Sequence, residues 1–252
     1  MLEASTPADP PGGTLVEVVN LTKRYGPITA VSNVSFSVHE GEVLGLIGPN
    51  GAGKTTLFEC LGGTSPVDAG TILRHGEPLS GLERSSILFY LPDAIAPWPA
   101  QTVDWALDFM VGLFGGRGEL RQDIVRDLDL RALLSRPMGM LSKGQRKRAL
   151  LAIGLLMPQP LLVADEPFEG LDLRQTRDIA QALRAHARAA GRTLLLSIHQ
   201  IADAARVCDR FVLLSGGRVC GEGTLGELSV LAESRGRNIA ATDLEEVFLA
   251  LT

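Results

Sequence analysis

The sequence predicts an α/β fold with a mostly parallel sheet, and three patterns lead to that prediction. Short apolar runs typical of buried strands alternate with segments of helical periodicity in both halves of the chain. One of these runs, EVLGLI at residues 42–47, ends in a glycine-rich turn that leads into a helical pattern. Residues 94–159 carry little strand signal and are predicted to form a helical lobe inserted into the α/β domain.

The individual elements follow from local hydrophobic patterning and from the turn residues between them. Strands are predicted, in chain order, at residues 15–20, 31–38, 42–47, 71–73, 87–90, 161–164, 193–198 and 210–214. Helices are predicted after Gly53 and at residues 102–113, 120–130, 144–157, 173–190 and over the C-terminal LEEVFLALT. An N-terminal antiparallel β subdomain is expected beside the mostly parallel sheet.

These patterns also suggest how the chain is divided. Residues 1–13, rich in proline, glycine and alanine, are predicted to be a disordered tail. Residues 14–252 are predicted to form one domain, with residues 14–93 and 160–252 in an α/β core lobe and residues 94–159 in the helical lobe.

The bulk composition argues against some functional classes. The chain has 252 residues, of which 45% are apolar and 21% charged, and its net charge is −5. Nucleic-acid-binding domains usually carry a basic patch or balance, so no nucleic-acid partner is expected. No apolar run approaches the roughly 18 residues of a membrane span, and the N-terminus lacks the basic start and apolar core of a signal peptide. We therefore expect a cytoplasmic chain whose role at a membrane would depend on separate membrane proteins.

The glycine-rich turn is a complete phosphate-binding loop, GPNGAGKTT at residues 48–56, which fits G-x-x-x-x-G-K-[ST] in full. Its glycines let backbone N–H groups turn inward and form a nest for anionic oxygens, and the following helix adds its positive N-terminus. Lys54 suits the β- and γ-phosphates, and the hydroxyl of Thr55 suits Mg²⁺. The predicted nucleotide-binding residues are Gly48, Pro49, Asn50, Gly51, Ala52, Gly53, Lys54, Thr55 and Thr56. The fold class is therefore refined to a P-loop NTPase core.

A second motif supplies carboxylates that such a loop requires. The apolar run LLVA ends in Asp165 and Glu166. Asp165 at the strand tip would hold the Mg²⁺ shell, and Glu166 would polarise the attacking water. The alternative is that the acidic pair only caps the following turn.

A third motif resembles a family signature. LSKGQ at residues 141–145 is similar to the LSGGQ motif of the ATP-binding subunits of ABC transporters, with Lys143 in place of the middle glycine. The resemblance covers the chain from about residue 15 onward. It implies that two cassettes pack head to tail, with each ATP held between the loop of one chain and this motif of its partner. The residues implied to contact the partner's ATP are Leu141, Ser142, Lys143, Gly144, Gln145 and Asp172.

The alternative for this stretch is a purely structural role, as an N-capped helix with a solvated basic face. That interpretation is retained for Lys147 and left open for Arg146.

Other positions match landmarks of the same family. The resemblance implies that Tyr25 stacks on adenine, that His199 senses the γ-phosphate, and that Glu166, His199 and Lys54 are the catalytic residues. Asp93 occupies the position where the family usually has a glutamine, so Mg²⁺ is expected at Thr55, Asp165 and Asp93. A second departure is Phe168–Glu169, which replaces a smaller polar pair.

The resemblance implies an ATP-binding and hydrolysing subunit of an ABC transporter, with ATP and Mg²⁺ as cofactors. The implied partners are a second cassette, in a homodimer, and integral membrane permease subunits that hold the chain at the cytoplasmic face of the membrane. Lys143, Asp93 and the ending DLEEVFLALT are similar to ATPases of exporters for drugs, antibiotics, polysaccharides or lipids. Residues 94–103 lie where a membrane subunit would dock, and Trp98 is either an anchor there or, with Trp105, part of the packing of the lobe.

Two other functions stay open at this point. A soluble ABC ATPase in translation or DNA maintenance would usually carry two cassettes or a long coiled coil, and neither pattern is present in this sequence. A regulatory cassette with weak hydrolysis is opposed by the intact Lys54, Asp165, Glu166 and His199, but Asp93 and Phe168 leave it open.

Overall fold

The structure is a computed structural model that describes residues 12–93, 95–235 and 243–252. The tail predicted at residues 1–13 therefore lies almost wholly outside the described residues. Strands are β1 (Thr14–Tyr25), β2 (Ile28–His39), β3 (Val43–Ile47), β4 (Ala69–Arg74), β5 (Glu77–Pro78), β6 (Leu88–Leu91), β7 (Leu161–Ala164), β8 (Thr193–Ile198), β9 (Arg210–Ser215) and β10 (Arg218–Gly223). Helices are α1 (Lys54–Gly62), α2 (Gly81–Ile87), α3 (Val103–Phe114), α4 (Arg121–Asp127), α5 (Lys143–Leu156), α6 (Leu173–Ala190), α7 (Ile201–Val207), α8 (Leu225–Ser234) and α9 (Leu244–Leu251).

The strands form two sheets. The first is antiparallel, in the order β2-β1-β4-β5, and the second has the order β10-β9-β3-β8-β7-β6. In the second sheet every pairing is parallel except that of β10 with β9 at the edge. The predicted α/β class, with an antiparallel N-terminal sheet and a mostly parallel core sheet, is confirmed.

The centre of the core sheet is buried on both faces, which explains why β3, β7 and β8 are almost entirely apolar rather than alternating. Every residue of β3, β7 and β8 is buried. On β3, Val43 and Ile47 belong to an apolar cluster shared with helices α3 to α9. Leu44 and Leu46 point to the opposite face and pack with β1, β2 and α1.

Between β6 and β7, the described residues 95–160 contain helices and turns and no strand. This region contains α3, α4 and α5, and its short 3₁₀ helices are Gly118–Leu120, Arg131–Leu133 and Met138–Met140. The helix predicted at residues 120–130 is shorter in the structure, because Asp129 adopts a left-handed backbone conformation with φ of 50° and the α-helix ends before it.

The parallel arrangement gathers the candidate residues at one edge. The pairs Ile47 with Ile198 and Leu91 with Ala164 bring the carboxyl ends of the central strands level with one another. Ligands of open α/β sheets bind outside such strand ends. No helix in the described ranges is both long and apolar enough to cross a bilayer.

Candidate nucleotide site

The phosphate-binding loop joins β3 to α1 in the way that the motif predicts. The backbone passes through positive φ at Gly51 and Gly53, with φ of 80° and 101°. A Cβ on Gly53 would lie 2.5 Å from the carbonyl oxygen of Ala30, so the turn requires glycine for its conformation and for its space. The amides of the first turn of α1 are thereby aimed at an open cavity above the loop.

Lys54 is buried beneath this loop, with 6% of its surface exposed. Its ammonium donates hydrogen bonds to the carbonyl oxygens of Gly48 at 2.8 Å and Pro49 at 3.3 Å. Burial lowers the pKa of Lys54, while the carboxylates of Glu166 and Asp165 act in the opposite direction. The cation is thus held within the loop, where the phosphates of a nucleotide would lie.

A hydrogen-bond network connects Thr55 to the end of β7. The Thr55 hydroxyl donates to Asp165 Oδ2 at 2.9 Å, and the Ser197 hydroxyl donates to Asp165 Oδ1 at 2.5 Å. The Ser197 oxygen in turn accepts the backbone N–H of Glu166 at 2.9 Å. Ser197 is fully buried on β8, next to β7. It was not predicted as a site residue, although a lone serine in the apolar run TLLLSI was a signal that a buried hydroxyl had a polar partner there.

The donor set at Thr55 and Asp165 fits Mg²⁺. Both supply hard oxygen atoms, and Mg²⁺ in nucleotide sites is typically held by one or two protein oxygens together with phosphates and waters. Among the described residues no group of three or more His, Cys, Asp and Glu side chains is gathered as a metal site.

Glu166 lies between two cavities. One is the cavity above the phosphate-binding loop, and the other is lined by Ser197, Phe168 and His199 among others. Its backbone has φ of 46°, an uncommon conformation for a residue with a side chain. His199 is exposed just after β8 and also borders the loop near Pro49. The structure thus brings Lys54, Asp165, Glu166 and His199 to one edge of the sheet.

The LSKGQ segment begins α5. Ser142 is the N-cap: its hydroxyl accepts the N–H of Gln145 at 3.2 Å, and the Gln145 side chain accepts the N–H of Ser142 at 3.1 Å. The N-cap interpretation is therefore confirmed. Leu141 is buried with 4% of its surface exposed. Gly144 has no room for a side chain, because a Cβ there would lie 2.7 Å from the carbonyl oxygen of Gly170.

Lys147 is not on a solvated face, and that expectation was wrong. It is 3% exposed, and its ammonium lies 2.5 Å from Asp93 Oδ1 and 3.3 Å from the carbonyl oxygen of Asp165. Lys147 follows Lys143 by one helical turn, yet the Lys143 side chain is 58% exposed. The burial of Lys147 therefore depends on the carboxylate of Asp93 and the carbonyl of Asp165 that pack against it. Arg146, which was left open, donates to the carbonyl of Leu141 at 3.3 Å.

The departures from the family pattern lie together. Lys143 Nζ is 2.6 Å from Glu169 Oε1, and one turn later Lys147 pairs with Asp93. Burial alone would raise the pKa of Asp93, but the hydrogen bond and charge of Lys147 hold it below its usual value. Phe168 is 8% exposed and packs in the apolar core instead of adding bulk at the surface.

The other predicted residues are Tyr25 and Asp172. Tyr25 ends β1 with 47% of its surface exposed, and Lys23 Nζ is 5.2 Å from the centroid of its ring. Asp172 is the N-cap of α6 and accepts the N–H of Gln175 at 2.8 Å.

Comparison with known proteins identifies the family. Residues 31–169 match the family model described as ABC transporter. The chain belongs to the ABC transporter family. Members of this family supply the ATPases that power transport.

Two curated relatives are named as export proteins. The chain is 36% identical over 221 residues to the Nod factor export ATP-binding protein I of Sinorhizobium fredii, which covers 82% of the chain and 62% of that protein. It is 30% identical to the SkfA peptide export ATP-binding protein SkfE of Bacillus subtilis, over 81% of the chain and 87% of that protein. The chain thus spans less than two thirds of the length of the Sinorhizobium protein.

A solved structure supports the same fold. The structure titled as the ATP binding subunit of an ABC transporter superposes with a TM-score of 0.81 at 30% identity, covering 94% of this chain and 99% of that one. The chain therefore has the fold of an ATP-binding cassette.

Proposed function

We propose that this chain is the ATP-binding and hydrolysing subunit of an ABC exporter. The observation that carries the proposal is the set of hydrogen bonds that links Thr55 of the phosphate-binding loop to Asp165, with Glu166 beside it. The loop amides and Lys54 bind the phosphates, and the exposed ring of Tyr25 receives the adenine. Export is proposed because the named functions of the two curated relatives are export functions.

Thr55 and Asp165 would hold Mg²⁺ against the β- and γ-phosphates. When bound, the metal ion neutralises the charge that develops on the transferred phosphoryl group. Glu166 accepts the proton of the attacking water or orients that water, and His199 contacts the γ-phosphate. Asp93 was predicted as a further metal ligand, and the contact of its carboxylate in the structure is with Lys147.

The second cassette is proposed to be another copy of this chain. Ser142 begins a 14-residue helix, and its hydroxyl and the adjacent backbone N–H groups form a capped N-terminus that suits an anion. In a head-to-tail dimer Ser142, Gly144 and Asp172 would complete the partner's site, with Leu141, Lys143 and Gln145 around them.

The membrane partner is proposed to be a permease at the cytoplasmic face. Trp105 and Phe109 stack at 4.7 Å, and Trp98 packs edge-on against both rings. Trp105 and Phe109 remain 37% and 39% exposed. Trp98 itself is partly buried against the core, so the two exposed rings, supported by Trp98, are proposed as the anchors for a membrane subunit.

The test is the solution mass of Glu166→Gln, measured by light scattering with and without Mg-ATP. We expect monomers without nucleotide and dimers with Mg-ATP, because binding persists while hydrolysis stops. Lys54→Ala in the same background is the control and should stay monomeric. A monomer throughout, with ATP demonstrably bound, would contradict the homodimer.

A further inference from the structure

Lys147 is a buried cation that no step of the proposed function uses. It lies on α5, five residues after Ser142, and its side chain is 4% exposed. Its ammonium donates to Asp93 Oδ1 at 2.5 Å and to the backbone carbonyl of Asp165 at 3.3 Å. Asp93 follows β6 and Asp165 follows β7, so a single side chain joins the head of α5 to the ends of two core strands.

The second of these bonds completes the set of contacts around Asp165. Its carboxylate accepts from Thr55 and Ser197, and its backbone N–H donates to the carbonyl of Leu91 at 2.9 Å. The carbonyl is the remaining polar group, and Lys147 is its partner. Every polar group of the proposed metal ligand is therefore fixed by a neighbour.

The first bond explains why a cation is tolerated at this depth. A buried ammonium is costly unless it is paired and hydrogen-bonded. The carboxylate of Asp93, whose side chain is 30% exposed, supplies the opposite charge at 2.5 Å. The anion of Asp93 thus faces a cation on α5.

We propose that Lys147 is a positioning residue for the metal site, oriented by Asp93 and acting on Asp165 through its backbone carbonyl. Groups that hold metal ligands from outside the coordination shell typically change metal affinity or activity by about 10–100-fold when removed. The proposal rests on the proposed role of Asp165 in binding Mg²⁺.

The measurement is the Mg²⁺ dependence of nucleotide binding, followed with a fluorescent ATP analogue at fixed protein concentration. In Lys147→Met we expect the Mg²⁺ midpoint to rise by about 10–100-fold, while affinity for the analogue in EDTA stays at the parent value because the phosphate-binding loop is intact. Lys147→Arg keeps the charge and the donors, so its Mg²⁺ midpoint should lie close to that of the parent protein. Lys147→Gln, which keeps a donor without the charge, is the second variant if the methionine variant does not fold.

Arg148→Met is the matched control. Arg148 is the next residue on α5 and is also buried, at 8% exposure, but its ion pair at 2.9 Å is with Asp129 inside the helical region. If loss of a buried cation from α5 were the whole effect, both variants would shift the Mg²⁺ midpoint. We expect Arg148→Met to lower the melting temperature and leave that midpoint unchanged.

Three outcomes would overturn the proposal. In the first, folded Lys147→Met or Lys147→Gln keeps the parent Mg²⁺ midpoint. In the second, Arg148→Met shifts that midpoint as much as Lys147→Met does. The third concerns Asp165→Asn.

Asp165→Asn separates this proposal from the proposed function, because it must raise the Mg²⁺ midpoint if Asp165 binds the metal. No shift in Asp165→Asn would overturn the metal assignment itself, and this proposal with it. A shift in Asp165→Asn with none at position 147 would overturn this proposal alone.

Discussion

Loss of the Ser197 hydroxyl is expected to disturb the proposed metal ligand Asp165 and the catalytic candidate Glu166 at once. The Ser197 hydroxyl donates to Asp165 Oδ1, and its oxygen accepts the N–H of Glu166. The residue has no exposed surface. Ser197→Ala removes one hydrogen bond to a charged group and one to a backbone amide. Together these are worth about 2–4 kcal/mol of unfolding free energy. In a domain of this size that corresponds to a melting temperature lower by about 4–15 °C.

The effect on hydrolysis should exceed what lower stability explains. Without the serine, Asp165 can rotate away from Thr55, and the N–H of Glu166, whose backbone has φ of 46°, loses its acceptor. We expect kcat for ATP hydrolysis to fall by about 10–100-fold, the range found when a ligand-orienting group is removed. The assay is phosphate release at a temperature where both proteins are fully folded by circular dichroism.

Thr193→Val provides the matched control. Thr193 lies at the other end of β8, is 1% exposed, and its hydroxyl accepts the N–H of Gly41 at 3.0 Å. Thr193→Val should lose about 1–3 kcal/mol of unfolding free energy, because the Gly41 N–H is left without its acceptor, while keeping the parent kcat. Our reasoning about Ser197 would be refuted if Ser197→Ala, folded and destabilised, hydrolysed ATP at the rate of Thr193→Val.

Three further predictions concern helix packing and capping. Gly144→Ala should lower the free energy of unfolding by about 1–3 kcal/mol, because its Cβ would meet the Gly170 carbonyl at 2.7 Å. Urea denaturation shows whether the free energy of unfolding falls or rises. Glycine to alanine at a helix position with free space would raise it by about 1 kcal/mol. Arg192→Met should lower the free energy of unfolding by about 3–5 kcal/mol, again measured in urea. The buried guanidinium of Arg192 donates to three carbonyls at the end of α5. A stable variant would show that those carbonyls find other donors. Hydrogen bonds from the Thr224 backbone and side chain lower the pKa of Glu227, so Glu227→Gln should destabilise at neutral pH. That difference should shrink as the pH falls through the lowered pKa, and a constant difference from pH 7 to pH 3 would contradict the assignment.

The site motifs could be predicted because they are contiguous in the chain. The phosphate-binding loop needs its glycines, Lys54 and Thr55 in one turn, and the apolar run before Asp165 identifies a buried strand by its length and composition. The N-cap at Ser142 was visible in the same way, since capping depends on residues three positions apart.

Short elements were harder to predict. The strands β5 and β10 and the helices α2, α7 and α8 are not among the sequence predictions. Their stability depends on the neighbours that they pack against more than on their own patterning. For α8 a local signal existed, because Thr224 and Glu227 form a capping box. Ile87 was predicted in a strand but is the last residue of α2, an error of one residue at a boundary.

The sequence by itself determined the family, the sheet-based fold and the position of the nucleotide loop, since each depends on patterns within a few residues or on motifs in a fixed order. Only the tertiary structure decided which charges meet. Lys147 and Asp93 are 54 positions apart, and Ser197 and Asp165 are 32 apart. These pairs form because β6, β7 and β8 are neighbours in the sheet and α5 packs against β6 and β7. A lysine assigned to solvent from its own helix is buried for that reason: the surroundings of a side chain are set by the elements packed against it.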